Sequence, residues 1–375
     1  MTGTTAAVRT AAAETAAVMV AADRRRSAFA LIAAAGLALL GAAGPALAQK
    51  VDLSPAKSAE TFADPVVRSA LRERAIALVI EATASESPLL RANGLEALQP
   101  LPTRAEPVAR AALADANLGV RYTAAMTIGR LRLCESAPMV RPLLNDPEPA
   151  VRAGAILALQ RCGATVDPSP LADLLFSSDP KKRSIGAFVL GEMGDKSAVP
   201  MLRAAAKETG GAGLPVEQRL LQLQIAEAMA KLGEADALQA VRAALYPGAD
   251  EEYEIAVLAA QILGELKDRA AVRELVTRID ERADGTFTTP PELRLAAAGA
   301  LAKMGYRDGA YVAEQCAVSA SAPIRAQAAY VFGETVGAEG LARLEAMLGD
   351  QDPQVQLASA AAIIKVVERI AKQGR

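Results

Sequence analysis

The stretch Asp146-Pro-Glu-Pro-Ala-Val-Arg152, followed by Ala155 and Leu159, contains the pattern that decides the fold. A small residue with an apolar residue four positions later recurs nine times between residue 91 and the C-terminus, mostly at a spacing of 31 residues. A period of this length is typical of a solenoid, in which each unit buries its apolar face only by stacking on its neighbours. We therefore predict an all-α chain built from about nine helix pairs.

The second helix of each predicted pair is defined by three positions. The small residues are Gly94, Ala124, Ala155, Gly186, Ala228, Ala259, Ala297, Ala328 and Ser359. The position three residues earlier is arginine in six of the nine repeats: Arg91, Arg121, Arg152, Arg183, Arg294 and Arg325. These positions and the apolar residue lie on one helix face, where the small side chain would let the first helix approach closely. Asp115, Asp146 and Asp352 precede second helices, where a carboxylate accepts from free backbone amides.

The segment from Asp146 to Arg152 and the run Leu190-Gly-Glu-Met-Gly-Asp-Lys-Ser-Ala-Val-Pro-Met-Leu202 resemble HEAT repeats, specifically the short bacterial subclass also found in phycobilisome lyase-type proteins. The resemblance implies a right-handed superhelix of the armadillo type. It also implies a ladder of hydrogen bonds between units, formed by the aspartate before the second helix and the arginine on it. The candidate ladder residues are Asp115, Arg121, Asp146, Arg152, Arg183, Arg294 and Arg325. The six-residue spacing from aspartate to arginine places the ladder at the N-terminal end of the array.

The N-terminus has the features of an export signal. Arg24, Arg25 and Arg26 precede an apolar run from 28 to 43, and Ala46-Leu47-Ala48 supplies the small residues that a signal peptidase requires. We predict a signal peptide over 1–48 with cleavage after Ala48, a linker over 49–61, and the solenoid over 62–375. Translation could start at Met1 or Met19. The run is shorter than the roughly 20 apolar residues of a membrane helix, so an uncleaved anchor is the lesser alternative.

The amino-acid composition argues against several classes of function. Without the leader the chain has 37 basic and 41 acidic residues, and it has no Trp, so neither charge nor stacking groups favour nucleic-acid binding. The sequence contains no histidine, which removes the usual general base and the commonest ligand for zinc or iron. The densest acidic run, residues 250–254, is interpreted as a solvated helix start, with a carboxylate-only site as the alternative. We expect no catalytic residue, cofactor or metal.

Three cysteines are present. Cys134 and Cys162 fall near the ends of adjacent second helices, and an oxidising compartment would allow a disulfide between them. Their positions in the repeat differ by about one helical turn, so both the bridged and the free state remain open. Cys316 is interpreted as a small buried hydrophobe on a first helix.

A possible partner surface follows from the residue two positions after each small residue. The candidates in this row, called here the inner row, are Met126, Leu157, Phe188, Met229 and Tyr330. Arg130 and Arg161 would lie beside it, followed by glutamates further along the chain. An apolar strip with charged margins could accept an extended peptide or an amphipathic helix. Alternatively, neighbouring second helices bury the row and leave no groove.

Two units carry insertions in the loop before the second helix. One contains Gly210 to Pro215, and the other contains Gly285-Thr-Phe-Thr-Thr-Pro-Pro291. Both should emerge on the same edge of the array, where insertions commonly bind partners. Phe287 is either tucked onto its own helix or presented to a partner.

The sequence as a whole predicts an exported, non-catalytic scaffold that binds a protein or peptide in the periplasm or cell envelope. One alternative is a lyase or isomerase resembling the bilin lyase-type HEAT proteins, which would require a deep pocket of converging carboxylates and aromatics. Another is a purely structural spacer. We expect no stable membrane span after signal cleavage, a helix near 64–84 that caps the array, and a final helix from 354 to 372 that forms an exposed C-terminal cap.

Overall fold

The computed structural model describes residues 59–208, 214–248, 252–307 and 309–373. The predicted signal peptide, most of the linker and the glycine-rich part of the first insertion lie outside these ranges. In the described chain, eighteen α-helices fall in chain order into nine successive pairs. The prediction of an all-α fold of the α-solenoid class is confirmed.

The helices are numbered in chain order. Their bounds are α1 Pro65–Ala82, α2 Pro88–Ala97, α3 Pro102–Ala112, α4 Leu118–Leu131, α5 Ala137–Val140, α6 Pro149–Arg161, α7 Ser169–Leu175, α8 Pro180–Met193, α9 Val199–Glu208, α10 Val216–Lys231, α11 Leu238–Ala243, α12 Tyr253–Glu265, α13 Val272–Asp280, α14 Pro291–Lys303, α15 Ala310–Cys316, α16 Ala322–Thr335, α17 Leu341–Met347 and α18 Pro353–Gln373. Two short strands, β1 Arg282–Ala283 and β2 Thr286–Phe287, form an antiparallel hairpin between α13 and α14.

Polar residues and prolines start the second helices. Asn117 caps α4 by accepting from the amides of Gly119 and Val120, and Asp179 caps α8 by accepting from the amide of Lys181. Proline at the first helical position loses no hydrogen bond, since the first amides of a helix have no partner within it. The predicted caps Asp115 and Asp146 lie two residues ahead of the actual cap. Each instead accepts from the amide two residues later, which fixes the turn into the helix.

The chain separates into two compact units. Within the described residues, the middle unit comprises 101–262, and the end unit comprises 59–100 together with 263–373. The middle unit contains the second to sixth helix pairs, and the end unit contains the first pair and the last three. Among the described helices, none has both the length and the hydropathy of a membrane-spanning segment.

Small residues allow close helix packing in both units. A Cβ atom added at Gly186 would lie 2.7 Å from the backbone nitrogen of Leu175, so the small residue of this second helix does face its first helix. A further set of glycines lies between neighbouring second helices. A Cβ atom at Gly129 would come within 2.9 Å of Cα of Ala158, and one at Gly264 within 2.5 Å of Cα of Ala300. Only glycine permits these backbone approaches.

In the end unit, the first and last helices of the described chain pack against each other. Arg72 on α1 donates to Glu368 on α18 across 2.7 Å, although the two residues are 296 positions apart. The expectation that α18 forms an exposed cap is therefore wrong. The apolar residues of α18 are not confined to one narrow face of the helix. Most of them are buried, including Leu357, Ile364 and Val367.

Candidate functional site

The anchor arginines connect successive units. In the middle unit, Arg121 donates from Nε and Nη2 to the two carboxylate oxygens of Asp146, at 2.8 and 3.0 Å. Its Nη1 donates to the backbone carbonyls of Asp115 and Ala116, at 2.9 and 3.1 Å. One guanidinium thus holds its own preceding turn and the carboxylate of the next unit. Paired, charge-assisted bonds of this kind fix orientation as well as adding stability.

The same arrangement recurs near the C-terminus. Arg325 donates to both carboxylate oxygens of Asp350, at 2.7 and 2.8 Å, and to the carbonyls of Ser319 and Ala320. Burial is the largest effect on Asp350 and opposes its ionisation, but the hydrogen bonds from Arg325 and from the amides of Asp352 and Gln351, together with the charge of Arg325, outweigh burial and hold the pKa of this carboxyl below its usual value. The six-residue spacing had placed the ladder at the N-terminal end. The structure shows that the ladder also occurs near the C-terminus.

The Arg121–Asp146 pair runs between units, as the resemblance implied, and the six-residue spacing within a unit does not mark a side-chain pair. Arg152 donates to the backbone carbonyl of Asp146, at 2.7 Å, while the carboxylate of Asp146 serves the arginine of the preceding unit. Asp350 was missed, although it precedes Gln356 by the same six positions. Gln356 donates from Nε2 to the carbonyl of Asp350 at 2.6 Å and so replaces the missing arginine.

Within the part of the chain that the structure describes, Arg183 and Arg294 do not form the paired bonds to an aspartate that Arg121 and Arg325 form. Arg183 donates to the carbonyl of Ala205 at 3.1 Å and contacts Glu208 on α9 at 3.4 Å. Arg294 donates to the carbonyl of Ile279 at 2.8 Å and to the side-chain oxygen of Gln315 at 3.1 Å. Arg183 therefore contacts a carboxylate 25 residues later, as Arg121 does, but through one nitrogen and on a helix, whereas Arg294 donates to a carbonyl and an amide oxygen.

The inner row is not an open groove in the middle unit. Met126, Leu157 and Phe188 are at most 5% exposed and belong to one hydrophobic core, against which the half-buried Met229 packs. The assignment of the first three to a partner surface is therefore wrong. They are buried because close approach of successive second helices, made possible by residues such as Gly129, leaves no space between them.

The charged residues predicted beside the inner row form contacts within the middle unit. Arg130 and Lys231 lie near the Phe188 ring, at 5.3 and 5.0 Å from its centre. Both cations also contact the carboxylate of Glu192, Arg130 at 3.4 Å, while Arg161 donates to the backbone carbonyl of Glu192. The change of sign along this row therefore reflects ion pairs between second helices of adjacent units, Lys231 with Glu192, and of units separated by one other, Arg130 with Glu192.

The second insertion contains the hairpin of β1 and β2. Asp284 and Gly285 both have positive φ, 51° and 80°, as a tight two-residue hairpin turn requires. The ring of Phe287 lies against the guanidinium groups of Arg294 and Arg282, whose central carbons are 3.3 and 4.1 Å from the ring centre. Phe287 therefore packs on its own unit through cation–π contacts.

Cys134 and Cys162 form a disulfide, with their Cα atoms 5.2 Å apart. The residue after α4, Arg132, has a left-handed backbone conformation that turns the chain toward Cys134. This turn compensates for the difference in repeat position between the two cysteines. Cys316 is a buried free cysteine, and burial raises the pKa of its thiol to about 11.

The end unit contains a concavity of about 470 Å³. Its ionisable side chains are Glu265, Lys267, Lys303, Arg307, Tyr330, Glu334, Lys365 and Arg369. Tyr330, the inner-row residue of α16, is half-buried and lies between two ammonium groups, Lys303 at 5.5 Å and Lys365 at 5.8 Å from its ring centre. The sequence had indicated Tyr330 but not the cations around it, which come from three different helix pairs.

The acidic run at 250–254 lies partly outside the described residues. Glu252 accepts from the amide of Gly248 at 2.8 Å and from Arg219, and these bonds lower the pKa of its carboxyl, the amide contributing most. It therefore helps to hold the start of the following helix. Among the described residues, no cluster of three or more histidine, cysteine, aspartate or glutamate side chains could hold a metal ion.

Comparison with known proteins gives a match in sequence and several distant matches in structure. The family model for HEAT repeats matches residues 76–160 and 105–177. No curated protein matches the chain in sequence.

Among solved structures, the chain is similar to the CpcE–CpcF complex of phycocyanin lyase from Nostoc sp. PCC7120, with 21% identity over 69% of this chain and 94% of that one and a TM-score of 0.35. It is similar to human deoxyhypusine hydroxylase, with 19% identity over 72% and 99% and a TM-score of 0.34. It also resembles Kap121p, with 11% identity over 93% and 45% and a TM-score of 0.33.

The family match covers the second helices that carry Arg121 and Arg152, and the same succession of paired helices continues through the rest of the described chain. Residues 76–177 of this chain therefore contain HEAT repeats.

Proposed function

We propose that this protein is an exported, non-catalytic scaffold that binds a protein or peptide partner in the periplasm or cell envelope. Two features support export. The first is the sequence of the leader, in which three arginines precede an apolar run and Ala46-Leu47-Ala48. The second is the disulfide between Cys134 and Cys162, because disulfides form and persist mainly in oxidising compartments.

The single observation that carries the scaffold role is the use of the repeated polar side chains. Arg121, Arg325 and the cations around Glu192 all bind neighbouring helices. Such contacts maintain a repeated surface but do not provide a reactive group. The absence of histidine from the sequence removes the most common general base, and HEAT-like arrays commonly present extended binding surfaces.

The partner surface must lie outside the buried part of the inner row. In the middle unit, large apolar side chains are exposed on or just after first helices: Met139 is 48% exposed, Phe176 43% and Tyr246 51%. On the second-helix side, Met229 and Tyr330 are only half-buried. Met139, Phe176 and Tyr246 belong to the third, fourth and sixth helix pairs. Exposed apolar side chains that form a contiguous patch are typical of a protein-binding face.

Site-specific photocrosslinking in intact cells tests this proposal. A photoreactive residue is placed at Met139, Phe176 or Tyr246 in one set of variants, and at Met229 or Tyr330 in another. The matched control carries the same residue at the buried Leu171. A scaffold should give a discrete crosslinked product from one set and none from the control. A protein that reaches the envelope but gives no product at any position would instead act as a spacer.

An enzymatic function is supported by one observation, the concavity in which Glu265, Glu334 and Tyr330 approach one another. Each carboxylate there pairs with a lysine, Glu265 with Lys303 at 2.6 Å and Glu334 with Lys365. Incubation of the purified protein with a free bilin distinguishes the two functions. A scaffold leaves the absorbance spectrum of the pigment unchanged, whereas a lyase or isomerase would produce a covalently bound or altered pigment.

A further inference from the structure

The concavity of the end unit has an excess of positive charge. Five cationic side chains line it, namely Lys267, Lys303, Arg307, Lys365 and Arg369, against the carboxylates of Glu265 and Glu334. Glu339 lies near Arg307 and Arg369, and the excess remains positive when it is included. Cations gathered in a concave surface focus the electrostatic field and raise the local concentration of anions.

The lysines in the wall keep donors for a ligand. Lys303 contacts Glu265 at 2.6 Å, and Lys365 contacts Glu334, but each ammonium group has three hydrogen-bond donors. The side chain of Lys365 is 43% exposed, so part of it faces the cavity. Because the ammonium groups of Lys303 and Lys365 are 5.5 and 5.8 Å from the centre of the Tyr330 ring, an anion placed beside the ring could reach both.

The arginines add charge that nearby carboxylates offset only in part. Arg369 donates from Nη1 to the carbonyls of Gly333 and Glu334, at 2.9 and 3.2 Å, and from Nη2 to the carbonyl of Val336. These uncharged acceptors do not neutralise its guanidinium. Burial lowers the pKa of Arg369, and the neighbouring charge of Arg307 lowers it further against the opposing effect of carboxylates. A bound anion would relieve this repulsion between like charges.

At the mouth, Lys267 and Arg307 are exposed, and neither forms an ion pair with a residue that the structure describes. The cavity volume of about 470 Å³ is within the range of roughly 300–1,000 Å³ that is typical of small-molecule sites. We propose that this concavity binds a small multivalent oxyanion, a polyphosphate or a polycarboxylate. Lys303 and Lys365 would contact the anion at the wall, and Lys267 and Arg307 would contact it at the mouth.

Isothermal titration calorimetry of the full mature chain tests the site, with pyrophosphate and citrate as separate probes at constant ionic strength. We expect saturable binding of at least one probe with one site per chain. Preference for pyrophosphate would identify a polyphosphate site, and preference for citrate a polycarboxylate site. The absence of saturable binding for both probes would overturn the proposal, whatever the variants do.

The double variant Lys267→Gln/Arg307→Gln removes two exposed cations of the mouth and should weaken binding at least tenfold. The matched control, Lys181→Gln/Lys182→Gln, removes the same charge from the exposed start of α8 and should change the affinity less than twofold. Circular dichroism melting checks that both variants fold. Equal weakening in the two variants would overturn the proposal, because the binding would then follow net charge and not this concavity.

Discussion

Arg325 and Asp350, 25 residues apart, form a buried pair joined by two hydrogen bonds, and Arg121 and Asp146 form the same pair at the same separation. In both cases the third nitrogen of the guanidinium holds the turn before its own helix. The spacing of 25 residues is shorter than the 31-residue repeat by six, which is the distance from aspartate to anchor. Each of these arginine–aspartate pairs, called here a rung of the ladder, therefore joins the anchor arginine of one unit to the turn before the second helix of the next.

The first prediction concerns the cost of breaking a rung. Arg325→Met should reduce the free energy of unfolding of the end unit by about 3–5 kcal/mol, because it leaves the buried Asp350 without its partner. Urea unfolding followed by circular dichroism measures the change. The control is Arg343→Met, which removes a partly exposed ion pair with Glu314 and should cost about 1 kcal/mol or less. Equal losses for the two variants would refute a structural role for the rung.

The second prediction is a pH dependence. Because the pKa of Asp350 is lowered in the folded protein, its pairing stabilises the fold fully above the unfolded pKa of about 3.9, and this contribution is lost as the pH falls through the folded value. The urea midpoints of the wild type and Asp350→Asn should therefore differ most near pH 6 and converge below pH 4. A difference that stays constant from pH 6 to pH 3 would contradict the assignment.

The third prediction distinguishes core from groove in the inner row. Leu157→Lys should lower the free energy of unfolding by about 4 kcal/mol or prevent folding, because it places an unpaired charge among buried apolar side chains. Met139→Lys, at an exposed position on a first helix, should change stability by less than about 0.5 kcal/mol. Thermal melts of the purified variants measure both. A stable Leu157→Lys protein would restore the groove interpretation.

The 31-residue period alone was sufficient to predict nine helix pairs, because a helix pair is local and its apolar face recurs with the repeat. Whether the inner row is buried or exposed could not be predicted, because an apolar residue such as Leu157 is compatible with either a groove or a core. One usable signal was overlooked. Gly129, Gly191, Gly264 and Gly333 occupy the same repeat position, and at each a Cβ atom would lie about 3 Å or less from an alanine of the next second helix. Such glycines predict close packing.

Contacts between residues far apart in the sequence could not be predicted from local sequence patterns. The contact of Arg72 with Glu368 joins residues 296 positions apart, and nothing in either helix indicates the other. The concavity around Tyr330 depends likewise on how three helix pairs bring lysines and arginines together. The disulfide could be predicted in part. The sequence identified its two cysteines, but their geometry depended on the left-handed residue Arg132.

The most direct test of the exported scaffold is mass spectrometry of the protein isolated from Gram-negative cells after its thiols have been trapped with an alkylating agent. We predict a mature chain that begins at Gln49, carries a disulfide between Cys134 and Cys162, and takes up one alkyl group, at Cys316, once it is denatured. A chain that retains residues 1–48 and is alkylated at all three cysteines would contradict this prediction.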